Sequence, residues 1–441
     1  MMKYEEGRTT CAPQASSPSL PPFIPLFFLI FHPSSFILSA AAEDWPQWRG
    51  PDRTNVSRET GLIKTWPDCG PKRAWLYREA GQGYGGFAAV KDRLYFIGTV
   101  DRAEHLFCLD AATKSTDGDQ LWTAPLGNGQ AQAGSRPLST PTVDGDFVYA
   151  LGERGDLACI NSEDGTAVWR KNLVRDFAGN LPEYGYSESP LVDGDQLLLT
   201  PGGEKGAVIA LDKKTGEIRW RSTGLTEDAT YGSMVVTTIN GEKQLIHQVG
   251  GSVVGLAPNS GKVLWRTKLP GNSLVANTPI VSGNVVYVVM GTHPGCKAVR
   301  ILPGNQVEEL YTSKIMSNLH SGTLKLGDFI YGHSESRGWT CQRFADGTEV
   351  WSDRTHFQKG PFTYADCRFY CLEEQTGTVA LVEPSTKGWL EHGRFTLAPL
   401  SDHKGGETRL FTSPVVANKR LFLRDQEFIY CYELAPANKL R

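Results

Sequence analysis

The 441-residue chain has almost no charge imbalance: 45 Lys and Arg stand against 48 Asp and Glu, a formal net charge of −3. A polyanion partner leaves a basic stripe that is missing here, so nucleic acid is not an expected ligand. The mature region also lacks long helical periodicity, and with Gly at 47 and Pro at 26 the composition points to many short strands and tight turns. There is no His-x-x-x-His metal pair, no Gly-x-Ser-x-Gly elbow, no phosphate-binding glycine loop and no Cys-x-x-Cys-His haem motif. The one strongly apolar run, Phe23 to Phe31, is too short and too broken by Pro25 and its flanking prolines to span a bilayer.

That run belongs to a leader. Ser39-Ala40-Ala41-Ala42 follows it as a small-residue cleavage site, so residues 1–42 read as a secretory signal and the protein as exported, periplasmic or extracellular. Cys11 precedes the run and is not placed for lipid attachment. Export permits disulfides, yet no cysteine pattern demands one. Cys108, Cys159, Cys341 and Cys431 recur where sister segments have Ala210 and Gly255, which marks a small buried position. Cys367 and Cys371, taken as one strand, lie about 13 Å apart along it, too far to bond.

What the chain does have is a repeat. Val208 to Trp220 is an apolar run, a turn carrying Thr215-Gly216 and a second run ending on Trp. The same layout ends on Trp122, Trp169, Trp265 and Trp351, with Tyr311 in the Trp place once, at a period of roughly 50 residues. Each unit adds two earlier runs around an Asx/Gly turn, such as Asp193-Gly194-Asp195 or Asn240-Gly241, giving four strands. Units start near Phe87, Thr140, Ser189, Met234, Thr278, Ser321, Phe362 and Ser413, the seventh being degenerate around Pro384 to Phe395. The eighth is one strand short, and Lys72 to Tyr77, carrying Trp75, can supply it and close a ring. The expected architecture is all-β: an eight-bladed β-propeller of four-stranded antiparallel blades over residues 72–436, with seven blades as the fallback. Residues 43–71, rich in Trp, Pro and Gly from Asp44 to Pro51, read as an irregular arm lying across the domain, and 437–441 as a tail.

Ala-Leu-Asp-x-x-Thr-Gly-x-x-x-Trp, as it stands at Ala210 to Trp220, resembles the repeat of the pyrroloquinoline-quinone-type β-propellers. The resemblance implies structural docking tryptophans, here Trp75, Trp122, Trp169, Trp220, Trp265 and Trp351, each packing on the next blade's turn. The family has two branches, quinone-dependent alcohol dehydrogenases and a non-catalytic branch typified by the propeller subunit of the outer-membrane protein assembly machine. The dehydrogenases use a vicinal cysteine pair, a calcium site and an Asp base; no Cys-Cys pair occurs in this chain, and the calcium and base motifs find no clear counterpart. The expected function is therefore a monomeric, non-catalytic binding or scaffolding protein of the envelope, with no cofactor or metal and an envelope protein or peptide as partner. The alternatives are an envelope enzyme using the quinone with calcium, and a propeller that binds glycan, peptide or another small molecule.

In such a ring the loops that lead into the innermost strands share one end with those between strands two and three. The first set supplies Arg136, Tyr186, Glu188, Tyr231, Asn277, His320 and Arg409; the second supplies Glu153, Arg154, Asp156, Glu204, His293, His333, Glu335, Arg337, Arg424 and Asp425. Polar and aromatic groups converging on a channel mouth form a candidate ligand site. Arg424 beside Asp425 reads equally as a buried pair that ties the closing blade.

Overall fold

The computed structural model describes residues 43–129, 136–270, 276–291, 295–320, 322–402 and 410–436. Residues 1–42, read above as a leader, and His293, Ser321, Arg409 and residues 437–441, read as a tail, lie outside the described residues. No helix long and apolar enough to cross a membrane occurs among the described residues. Eight antiparallel sheets follow one another along the chain. Their innermost strands are Ala88–Val90, Thr142–Asp144, Leu191–Asp193, Val235–Ile239, Ile280–Ser282, Thr323–Leu326, Phe362–Ala365 and Val415–Ala417, in blades 1 to 8. Three strands of blade 8 come from the C-terminal end, and Arg73–Tyr77 completes it by pairing antiparallel with Phe428–Glu433. The seventh unit forms a full sheet despite its weak repeat.

Eight buried apolar clusters hold the ring, each made by two neighbouring blades. The cluster joining blades 8 and 1 contains Trp75, Phe87, Phe96 and Phe422, so the circle is closed by a core of the same kind as elsewhere. Docking geometry explains the repeat. The indole N–H groups of Trp122, Trp169, Trp220 and Trp351 donate to Ser162 O, Lys213 O, Pro258 O and Ser385 O of the next blade's turn, at 2.8–3.3 Å. Trp75 reaches Ala111 O across the closure, and the Tyr311 hydroxyl does the same to Phe344 O. Trp265 differs, donating to Gln244 of its own blade. The ring of Trp220 lies on Gly261, where φ is +67° and a Cβ would stand 2.5 Å from the indole. Only glycine meets both demands without strain.

Opposite each docking residue sits the small position: Cys108, Cys159, Ala210, Gly255, Ala298, Cys341 and Cys431 are in register with Trp122, Trp169, Trp220, Trp265, Tyr311, Trp351 and Trp75. A Cβ on Gly255 would lie 2.2 Å from the Trp265 nitrogen, so the indole itself sets the size limit. All eight cysteines among the described residues are free thiols, and Cys367 occupies a two-residue turn at φ 61° instead of continuing the strand of Cys371.

The arm does more than lie across the domain. Trp45 forms an antiparallel bridge with Ala89 of blade 1, and Pro46 O accepts from Val143 N–H of blade 2. Arg53 reaches Ser189 O and Pro190 O of blade 3 and Met234 O of blade 4. Trp48 donates to Thr278 of blade 5, Arg49 to Thr323 O of blade 6 and Asn55 to Phe362 O of blade 7. Val56–Ser57 then adds in parallel to the innermost strand of blade 7, and Glu59 accepts from Asn418 N–H of blade 8. The residues from Trp45 to Glu59 thus touch all eight blades. Arg49, Arg53 and Asn55 hold left-handed backbone at φ 62°, 55° and 63°. Each costs about 1–2 kcal/mol for a residue with a Cβ, and the surrounding bonds hold them there.

Candidate functional site

The lead-in loops are stitched to one another before they offer anything to a ligand. Gly86 N–H donates to Thr140 Oγ1, Thr140 N–H to Ser189 Oγ, and Ser189 N–H to Ser233 Oγ, at 2.9–3.0 Å, so blades 1, 2 and 3 each hand a backbone donor to the hydroxyl of the next. Asn277 Nδ2 donates to Asn318 O at 2.6 Å, and Thr412 Oγ1 on the lead-in to blade 8 donates to Tyr84 O on the lead-in to blade 1. Asn277 is thereby an inter-blade tie.

Beneath this ring, at the junction of blades 3 and 4, is a buried polar cluster. Glu188 accepts from the Thr200 amide and hydroxyl, and the same hydroxyl meets His247 Nε2 at 3.0 Å. Burial pushes the Glu188 carboxyl up to about 7 against the opposing pull of Thr200 and of Arg53, while burial and Arg53 hold His247 near 3, neutral. Burial also draws the Arg53 guanidinium down to about 9, still charged at neutral pH. Tyr186 is buried, with its hydroxyl on Pro201 O at 2.9 Å and Asn180 O at 3.2 Å, and burial raises its phenol.

Between blades 1 and 2, Glu104 is fully buried and accepts from the Glu153 amide at 3.1 and 3.2 Å. Burial raises its carboxyl to about 8, with Glu153 and Asp156 adding to the rise. From 4.5 to about 8 the folded chain keeps a proton that the unfolded chain has released. Stability therefore falls as pH rises through that window. Denaturant midpoints should be lower at pH 8.5 than at pH 5, and Glu104→Gln should shrink that difference; an unchanged difference would assign it to other groups.

Three further candidates, His320, Arg136 and Tyr231, lie on the lead-in loops. His320 lies edge-on to Phe411 at 4.3 Å, with Nε2 3.3 Å from Glu374, and Phe411 contacts Tyr84 at 5.0 Å. Arg136 stands close enough to Tyr84 to counter the rise that burial gives its phenol. Tyr231 pairs with Tyr184 at 6.0 Å on a neighbouring lead-in loop. Arg424 and Asp425 bond elsewhere. The guanidinium is buried over the Phe96 ring and donates to Ile97 O, Gly81 O and Gln426 O, which fastens blade 8 to blade 1. Asp425 accepts from Ser401 N–H. Of the second loop set, Glu335 pairs with Lys359, Arg337 with Glu349 and Asp156 with Asn172, while burial holds His333 near 4.

Sequence reasoning missed Arg53, Thr200, His247 and the Tyr84–Phe411 pair. Arg53 sits in an unrepeated segment and offered no signal, whereas His247 could have been found as a polar residue on the inward phase of an apolar strand. No group of three His, Cys, Asp or Glu side chains is arranged to hold a metal among the described residues, and both Glu188 oxygens are already engaged by Thr200.

The completed geometry can be set beside known proteins. Residues 111–353, more than half of the chain, match the family described as outer membrane protein assembly factor BamB. The BamB of Kangiella koreensis is 27% identical over 189 residues, covering 42% of this chain and 44% of that protein, so the chain spans less than half the length of this relative. The crystal structure of BamB from Moraxella catarrhalis aligns with a TM-score of 0.58 at 14% identity over 82% of this chain and 99% of that one. Quinohemoprotein alcohol dehydrogenase from Comamonas testosteroni aligns with a TM-score of 0.60 at 13% identity, over 90% and 81%. Likeness at such identities is likeness of fold, which the two branches share. On its sequence match, the chain belongs to the outer membrane protein assembly factor BamB family.

Proposed function

We propose that this chain is an exported, non-catalytic binding module of the cell envelope that holds a protein partner on the lead-in end of its ring. Export rests on the leader reading of residues 1–42, and the partner class on the family, whose printed description is outer membrane protein assembly. One surface feature carries the reading. The loop between Ala167–Asn172 and Leu191–Asp193, which leads into blade 3, exposes Val174, Leu181 and Tyr184, the last at 45%. Large apolar side chains grouped on one loop suit a broad protein contact, since a small-molecule site is concave and encloses its ligand.

A photo-crosslinking residue placed at Tyr184 should capture one discrete envelope protein, and the yield should fall about tenfold with Leu181→Asp. The same probe at Asp195, in the exposed turn of blade 3, should capture none. Equal capture at both positions would overturn the choice of face. Titration with pyrroloquinoline quinone and calcium tests the other branch: saturable, stoichiometric binding that requires calcium would overturn the non-catalytic reading.

A further inference from the structure

The channel holds a pattern that the arm only partly uses. Each innermost strand ends in a two-residue turn, as at Ile239↔Glu242 in blade 4 and Ala365↔Arg368 in blade 7. The pair closing such a turn exchanges both backbone bonds, so alternate residues bond their own blade and those between aim N–H and C=O into the channel. Counting back from each turn, the inward positions include Ala89, Val143, Pro190, Met234, Thr323 and the pair Phe362 and Tyr364. These are the residues whose backbones meet Trp45, Pro46, Arg53, Arg49 and Asn55 of the arm.

The same count leaves Val236 and Thr238 on blade 4, two inward positions in succession on the five-residue strand Val235–Ile239. No strand pairs with that edge among the described residues. Exposure agrees: the strand is half-buried at Val236 and exposed at Thr238, whereas the innermost strand of blade 8 is buried throughout. Against the edge lies a cavity of about 500 Å³, walled by Val236 and Ile280 on the ring side and by Gln47 and Pro51 of the arm. Its charged neighbours are already engaged, Asp52 by Arg58, Arg53 by the carbonyls of Ser189, Pro190 and Met234, and Lys325 by Gly327 O.

We propose that this edge is a second binding site, which takes an extended peptide segment as an added strand inside the channel. Donor and acceptor sets recurring every second residue, about 6.8 Å apart, match the repeat of an extended backbone. The chain already performs the same addition on itself, with Val56–Ser57 on blade 7 and Trp45 on blade 1. The walls select uncharged, β-branched side chains. Because the edge runs toward the turn end of the ring, the site is separate from the lead-in face and does not depend on the partner proposed there.

The test uses the full chain and the capped peptide acetyl-(Thr-Val)₃-amide. Calorimetry should show saturable binding, with amide exchange across residues 234–240 slowed about tenfold or more at saturation. Of two peptides N-methylated at alternate residues, one in each register, the one whose methyl groups replace the N–H donors facing the edge should bind about tenfold more weakly than the other. Thr238→Pro should weaken binding similarly, since it deletes an inward N–H that its own blade does not use. No saturable binding of the parent peptide would overturn the site, as would binding that neither change moves. Should Thr238→Pro fold poorly, the N-methylated peptides decide alone.

Discussion

Arg53→Ala should lower unfolding stability by about 3–5 kcal/mol, the range for breaking a buried charged contact. The side chain is buried and bonds the carbonyls of Ser189, Pro190 and Met234, so truncation leaves three carbonyls without their charged donor. It also removes the positive charge that opposes the rise in the Glu188 carboxyl. Arg58→Ala is the matched control. That side chain is 66% exposed in its pairs with Glu43 and Asp52, and its loss should stay within about 1 kcal/mol. Denaturant midpoints of the two variants measure the contrast, and equal midpoints would mean that the arm rests on the channel without supporting it.

Replacing Arg73–Tyr77 by five Gly and Ser residues should remove the native unfolding transition altogether. The substitution preserves chain length between arm and blade 1, so only the closure is lost. Trp75, Leu76 and Tyr77 are all buried, at roughly 1.5–3 kcal/mol each, and together they approach the whole stability of an ordinary domain. The ladder to Phe428–Glu433 and the Trp75 bond to Ala111 disappear with them. A calorimetric scan should show a broad, low transition; a melt unchanged in midpoint and width would show that blades 8 and 1 hold together without this strand.

The blades were legible because their cause is local and repeated. A turn between two apolar runs, a small residue facing a Trp and a Gly beneath the neighbouring Trp recur at fixed offsets, and each copy vouches for the others. Even the missing strand of blade 8 could be found by counting. The channel was not legible, because its contacts join residues far apart in sequence and occur once. Nothing in Gly50-Pro51-Asp52-Arg53 announces three carbonyls on two different blades. For the lead-in residues, type was readable and task was not: Glu188, Asn277, Tyr186 and Arg424 do lie at the loops, but their polar groups bond within or between blades.

The arm also imposes an order of events. It leaves the ribosome before any blade, yet Asn55 waits for Phe362, 307 positions later, and Glu59 for Asn418, 359 positions later. Contacts of that span form slowly, because the intervening loop must close first. The arm therefore settles in stages: Trp45, Pro46 and Trp48 meet Ala89, Val143 and Thr278 as blades 1, 2 and 5 form, whereas the Asn55–Glu59 stretch has no partners in the ring until blades 7 and 8 have folded. A protease added during refolding should find this stretch cleavable long after the blades resist, which makes the arm a clock for completion of the ring.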